Sequence, residues 1–130
     1  MEDACRFVSL LVVDDNPGFL KVFNRFLLRN DLIKEVRLAT GGLQALSMIR
    51  EVPPDVLIMD VDMPTPDGLQ TLARVKEEFP GLKVWMMSVF DGADVQAVCL
   101  QVGADGFISK TDLEKNFIDQ LIKRVLASSL

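Results

Sequence analysis

The chain contains no histidine among its 130 residues. This absence excludes catalytic triads that need an imidazole base, zinc sites built on histidine, and any role as a histidine phosphodonor. Any chemistry must therefore come from carboxylates, hydroxyls, lysines or backbone groups.

Long apolar runs, a basic excess and a cysteine framework are also missing. No apolar run approaches the ~18 residues of a membrane-spanning helix, and the opening "MEDACRF" lacks the pattern of a signal peptide. The net charge of −5 argues against direct nucleic-acid binding. Cys5 and Cys99 form no spaced set, which indicates reduced thiols in a cytoplasmic protein without membrane association. Cys99 falls in an apolar helical stripe, where a core position is expected.

The composition is typical of one globular domain, with 49% hydrophobic and 25% charged residues. Short apolar runs alternate with segments of helical period, and a charged second strand suggests a sheet edge. Five repeated β-α units predict a parallel sheet covered by helices on both faces. Residues 1–130 are expected to form a single domain with no output domain. Strands are predicted over 9–13, 34–39, 55–60, 82–88 and 106–109, and helices over 16–30, 41–52, 67–79, 93–103 and 112–126. Asn16 suits the N-cap of the first helix and Pro17 its first position. Helical spacing places Phe19 on the apolar face of the first helix, and the last helix is expected to turn inward Phe117, Ile118, Leu121, Ile122 and Val125.

Reactive side chains follow four of the five predicted strands. Ligands of open parallel sheets bind at the carboxyl ends of the strands, so these side chains should meet at one edge. Any single acid after a strand is more often a turn former or a helix cap than a ligand. Several together point to a site. The residues are Asp14 and Asp15 after the first strand, Asp60 and Asp62 at the third, Ser88 at the fourth and Lys110 after the fifth.

Carboxylates gathered at one edge need a cation. Each pair of charges repels by ~4 kcal/mol at 4 Å and an effective dielectric near 20. All-oxygen ligands in a hydrated site favour Mg²⁺. A carboxylate beside that ion can accept a phosphoryl group, whose charge the metal and Lys110 offset while Ser88 donates a hydrogen bond.

In their order along the chain, "LLVVDDNP", "LIMDVDMPTPDGL", "MMSVFD" and "GADGFISK" resemble the response-regulator receiver domain of two-component signalling. The resemblance covers residues 8–127. It implies an α/β, flavodoxin-like (βα)5 fold, a doubly wound parallel sheet in strand order 2-1-3-4-5.

The same resemblance implies a phosphorylation-activated switch that catalyses only its own phosphorylation and slow dephosphorylation. Asp60 is expected to take a phosphoryl group from a histidine kinase or a histidine phosphotransfer protein. Asp15 and Asp60 would bind Mg²⁺ (or Mn²⁺) directly, Asp14 mainly through water and Asp62 through its backbone carbonyl.

The resemblance also assigns the groups that respond to the phosphoryl group. Lys110 would pair with it, and Ser88 would swing in to hydrogen-bond it. Phe107 would be the rotating aromatic residue that fills the space vacated by Ser88. The surface of helix four, strand five and helix five is the expected output, read by a downstream protein or an output domain, with phosphorylation-dependent homodimers also considered.

Five positions depart from the usual receiver pattern. Phe107 replaces a commoner tyrosine, and Thr111 stands where many receivers have proline, so no cis-proline turn is expected there. Val89 is bulkier than usual and narrows the path to the site. Phe90 is hypothesised to shield the acyl phosphate from water. The effect of the Asp62 carboxylate on metal binding or on phosphodonors stays open.

Three other functions compete with this interpretation. The chain could be a degenerate receiver used only as an interaction module. It could be the receiver of a DNA-binding transcriptional regulator, separated from its output domain. The segment "DVD" (60–62) also matches the nucleophile motif of haloacid-dehalogenase-type phosphatases, although that motif normally closes the first strand and here closes the third.

Overall fold

Five parallel strands form one sheet between two layers of helices. The structure is a computed structural model that describes residues 7–90, 92–113 and 115–128. The strand order β2-β1-β3-β4-β5 confirms the predicted flavodoxin-like fold. In chain order the elements are β1 (Val8–Val13), α1 (Pro17–Leu27), β2 (Ile33–Ala39), α2 (Gly42–Glu51), β3 (Val56–Asp60), α3 (Gly68–Glu78), β4 (Lys83–Ser88), α4 (Ala93–Val102), β5 (Gly106–Ser109) and α5 (Lys115–Ser128).

The central strands carry apolar side chains on both faces because helices cover the sheet from both sides. Alternate residues of β1 therefore enter different cores: Leu10 and Val12 pack towards α1 and α5, and Leu11 and Val13 pack towards α2, α3 and α4. All five residues of β3 are buried, including Asp60 at its carboxyl end. The polar end of β3 is thus fixed between two apolar layers.

Side-chain caps set where two helices begin beside the strand ends. The Asn16 side chain accepts a hydrogen bond from the Phe19 N–H, and Pro17 occupies the first turn of α1, as predicted. Asp67 caps α3 in a reciprocal pair with Gln70. These caps fix the first turns of α1 and α3, the helices that follow β1 and β3.

Two predicted helix boundaries were wrong. Helix α1 was predicted to reach residue 30 but ends at Leu27. Beyond it the N–H groups of Arg29 and Asn30 bond to carbonyls three residues earlier instead of four. The Asn30 side chain then accepts a hydrogen bond from the Leu32 N–H. The last helix was predicted from residue 112. Instead a short 3₁₀ turn spans Lys110–Asp112, where the Ser109 hydroxyl accepts from the Thr111 N–H, and α5 begins at Lys115.

The inward faces of the helices agree with the predicted apolar stripes. Four residues of α5 predicted to face inward are buried: Ile118, Leu121, Ile122 and Val125. The prediction for Phe117 lies outside the described side chains, and Cys5 lies outside the described residues. Cys99 is a buried thiol, which confirms its core position. None of the helices in the described part of the chain is both long and apolar enough to cross a bilayer.

Candidate functional site

Three carboxylates meet at the carboxyl edge of the sheet. Asp14 and Asp15 follow β1, Asp60 ends β3, and the two strands pair directly, with Val13 opposite Met59. One carboxylate oxygen from each acid lies within 4.8 Å of the others. Asp14 is 1% exposed and Asp60 4%, whereas Asp15 is open to solvent. The predicted gathering of these acids at one edge is confirmed.

Lys110 directly follows β5, the edge strand at the opposite edge of the sheet from β2, and its side chain reaches this cluster. Its Nζ lies 2.6 Å from Asp14 Oδ2 and 3.4 Å from Asp60 Oδ1, and the side chain is 15% exposed. Asp14 Oδ1 accepts a second hydrogen bond from the Asn16 N–H at 2.9 Å. One ammonium group therefore serves two carboxylates, and the site holds more negative than positive charge.

Phe19 is a site residue that the sequence did not reveal. Its ring lies under the Lys110 ammonium, with Nζ 4.4 Å from the ring centroid, a cation–π geometry. Helical periodicity placed Phe19 on the core-facing side of α1, and the ring does pack partly against the core. The sequence did place Phe19 four residues after Asp15, in the first turn of α1. Because that turn lies beside the carboxyl end of β1, this position could have indicated that Phe19 lies near the site.

The pKa of Asp60 is raised from 3.8 to about 6. Burial is the largest cause, and the neighbouring Asp14 carboxylate adds to it, while Lys110 and a hydrogen bond from the Asp62 backbone act in the opposite direction. The ionised form of Asp60 is thus penalised in the metal-free site. Asp14, Asp15 and Asp60 could hold a divalent cation, whose charge would offset that penalty, and their all-oxygen donor set suits Mg²⁺.

Ser88 ends β4 next to Asp60, and its side chain is fully buried. Main-chain pairing fixes this neighbourhood, because Asp60 lies opposite Met87 and the Val61 N–H donates to the Met87 carbonyl. The Ser88 hydroxyl donates to Asp62 Oδ2 at 3.0 Å and accepts from the Phe90 N–H at 2.9 Å. Ser88 therefore lies at the predicted edge, but its hydroxyl is engaged by the second acid of the "DVD" segment.

A glycine after the β3–α3 loop allows the chain to turn back over the site. A Cβ on Gly68 would overlap the backbone carbonyl of Asp60 and the Cα of Val61. The Gly68 N–H donates to the Val61 carbonyl at 3.1 Å. The glycine of the "LIMDVDMPTPDGL" segment is thus needed for close approach of α3 to the end of β3.

The aromatic residues with predicted roles take different positions. Phe107 lies on β5 opposite Met86 and packs, partly buried, against the core on the α2–α4 side. Phe90 is 65% exposed and Val89 53% exposed in the loop after β4. The rotation of Phe107 and the shielding by Phe90 stay predictions.

Comparison with known proteins agrees with this geometry. The family profile of the response regulator receiver domain matches residues 10–123. The receiver domain of the putative response regulator NarL from Mycobacterium tuberculosis superimposes with a TM-score of 0.84 at 29% identity, covering 92% of this chain and 97% of that one. The response regulator domain of Thermotoga maritima CheB superimposes with a TM-score of 0.78 at 29% identity, covering 94% and 96% of the two chains.

Curated relatives are longer than this chain. A protein-glutamate methylesterase/protein-glutamine glutaminase of Bacillus licheniformis is 36% identical over 129 residues, which cover 93% of this chain and 36% of that protein. The chain spans about a third of the length of this relative. The profile match covers most of the fold, including every acid of the cluster, and the chain belongs to the response regulator receiver domain family of two-component signalling.

Proposed function

We propose that this domain is a switch that receives a phosphoryl group on Asp60 from a phosphohistidine of a partner histidine kinase or phosphotransfer protein. A carboxylate oxygen of Asp60 attacks phosphorus, the N–P bond breaks, and the imidazole nitrogen keeps the electron pair. The observation that supports this proposal is the buried Asp60 carboxylate, set within one cluster with Asp14 and Asp15 and beside the Lys110 ammonium.

Asp15 and Asp60 are proposed to hold Mg²⁺ directly, Asp14 through water and Asp62 through its backbone carbonyl, with Mn²⁺ as a substitute. The bound ion would offset charge on the phosphoryl oxygens. Asp15 is the exposed member of the cluster, which leaves room for coordinating water.

Lys110 and Ser88 respond to the new charge. The phosphoryl group brings up to about two negative charges and three acceptor oxygens. Lys110 Nζ is already 3.4 Å from Asp60 Oδ1, so a small movement brings it to a phosphoryl oxygen. The Ser88 side chain then moves towards Asp60, and its hydroxyl donates a hydrogen bond to a phosphoryl oxygen. Phe107 rotates into the space that Ser88 has vacated. These movements alter the surface of α4, β5 and α5 that a downstream partner reads.

The output of the switch is proposed to lie with a separate protein or an output domain, and this domain is not itself an enzyme acting on other substrates. The intact cluster favours a working phosphoacceptor over a degenerate interaction module. It also disfavours a haloacid-dehalogenase-type phosphatase, because the Asp62 carboxylate is bonded to Ser88. Action in the cytoplasm and phosphorylation-linked dimers are further parts of the proposal.

Intact-mass spectrometry after incubation with acetyl phosphate and Mg²⁺ tests the proposal. The parent protein is expected to gain one phosphoryl group, and Asp60→Ala is expected to gain none. Asp31→Ala, which removes an exposed acid just before β2 and so at the opposite end of the parallel strands from the cluster, is the matched control and should be modified like the parent. An unmodified parent, or a phosphorylated Asp60→Ala variant, contradicts the proposal.

A further inference from the structure

The hydrogen bond between Ser88 and Asp62 has a consequence for switching. Ser88 is fully buried, and its oxygen is held from two sides: the Phe90 N–H donates to it, and its own proton points to Asp62 Oδ2. No basic side chain of the described ranges forms an ion pair with Asp62. The described contacts thus make Ser88 the partner of this carboxylate.

A serine hydroxyl has one proton to donate. While that proton is bonded to the Asp62 carboxylate, it is not available to a phosphoryl group on Asp60. A carboxylate and a phosphoryl oxygen are both charged acceptors, and both make stronger hydrogen bonds than neutral acceptors do. The two acids of the "DVD" segment therefore compete for the same proton, one directly and the other through its phosphoryl group.

We propose that Asp62 is a positioning residue that holds the Ser88 hydroxyl away from Asp60 and so opposes the activated state. The inference rests on the proposed function of Asp60 as the phosphoacceptor. Two states of one element follow: Ser88 bonded to Asp62 before phosphorylation, and Ser88 bonded to the phosphoryl group afterwards. The phosphoryl group favours the second state only by the amount by which its hydrogen bond to Ser88 is stronger than the bond from Ser88 to Asp62.

Charge repulsion must be separated from this effect. Asp62 is an exposed carboxylate near an anionic ligand, so removing its charge alone strengthens anion binding to some degree. Such repulsion acts whether or not a hydroxyl is present at position 88, whereas the proposed competition requires the hydroxyl. A double-mutant cycle between Asp62→Ala and Ser88→Ala isolates the second effect.

The first experiment measures the affinity of the full chain for beryllofluoride by calorimetry at saturating Mg²⁺. Asp62→Ala is expected to bind about 3- to 10-fold more tightly than the parent, the range expected for loss of one partly exposed charge-assisted hydrogen bond. In the Ser88→Ala background the same substitution should have a markedly smaller effect. Asp62→Asn, which keeps an acceptor, should lie between parent and Asp62→Ala. Glu77→Ala, which removes an exposed charge on α3, should bind like the parent.

The second experiment measures the χ1 rotamer of Ser88 by NMR coupling constants in the metal-free protein. A single rotamer in the parent and averaged rotamers in Asp62→Ala support the proposal. Equal affinity gains with and without the Ser88 hydroxyl, or an unchanged single rotamer in Asp62→Ala, overturn it. A parent protein that binds no beryllofluoride overturns the proposed function instead, and the rotamer populations still decide whether Asp62 holds Ser88.

Discussion

Replacing the buried Asp60 carboxylate by an amide is predicted to stabilise the metal-free fold. The pKa of Asp60 is about 6 in the folded protein and 3.8 in its ordinary state. Each unit of pKa corresponds to about 1.4 kcal/mol, so ionised Asp60 lowers the free energy of unfolding by roughly 3 kcal/mol. Asp60→Asn removes that charge with little change in size, and at pH 7.5 it is expected to raise this free energy by about 2–3 kcal/mol.

The pH dependence of this gain has a definite sign. Because the folded pKa lies above the unfolded one, the destabilisation is complete above pH 6–7 and shrinks as the pH falls towards 3.8. Roughly half of it has gone by pH 5. The advantage of Asp60→Asn over the parent should therefore be smaller at pH 5 than at pH 7.5.

Urea unfolding in the presence of a chelator measures this effect. Trp85 is the single tryptophan of the chain and is 6% exposed, so its fluorescence should report unfolding. Asp31→Asn, which neutralises an exposed acid, is the control and should shift stability by less than ~0.5 kcal/mol. An Asp60→Asn variant that is no more stable than the parent at pH 7.5, or whose advantage grows at pH 5, refutes the reasoning.

Further measurements examine the rest of the site and the scaffold. Mg²⁺ at a hundredfold excess over its Kd should raise the free energy of unfolding of the parent by ~2.7 kcal/mol, as measured by urea titration with and without a chelator. The rise should be much smaller in Asp15→Ala, and equal rises in the two proteins would contradict the assignment of Asp15 as a metal ligand. Phe19→Leu keeps apolar volume but removes the cation–π contact, so phosphorylation by acetyl phosphate should slow about 3- to 10-fold, and an unchanged initial rate would exclude a role for the ring. Phe90→Ala should lose its phosphoryl group faster than the parent, and an equal or slower rate of dephosphorylation would exclude shielding. Lys76→Ala breaks the partly buried ion pair with Asp105 and should lower the free energy of unfolding by about 2–3 kcal/mol. Arg50→Ala breaks the more exposed pair with Glu78 and should lower it by less than ~1 kcal/mol. Urea unfolding in which Arg50→Ala loses more stability than Lys76→Ala would contradict this comparison.

Most of the fold was predictable because a buried parallel strand leaves a clear trace in sequence. A strand covered on both faces must be apolar throughout, as in β3, and the acid that ends such a run stands out. The edge position of β2 followed from its charged residues, and the confirmed strand order followed from the family resemblance. The meeting of Asp14, Asp15 and Asp60 then followed from the geometry of parallel sheets.

The remaining features of the site could not be predicted because they arise from contacts between side chains on different helices and strands. Phe19 met the apolar pattern of α1 equally well as a core residue, and only the placement of Lys110 from β5 revealed the contact. The hydrogen-bond partner of the Asp62 carboxylate could not be predicted either, because the Ser88 hydroxyl that donates to it belongs to another strand, β4. The start of α5 was misplaced because a 3₁₀ turn over Lys110–Asp112 has no distinct apolar period.

Locating the phosphoryl group on the chain tests the central claim most directly. After incubation with acetyl phosphate and Mg²⁺, borohydride converts an aspartyl phosphate to homoserine, which peptide mass spectrometry can assign to a position. The expected result is homoserine at position 60, with no conversion when Mg²⁺ is replaced by a chelator. Conversion at Asp14, Asp15 or Asp62 instead, or no conversion anywhere, would contradict the assignment of Asp60 as the phosphoacceptor.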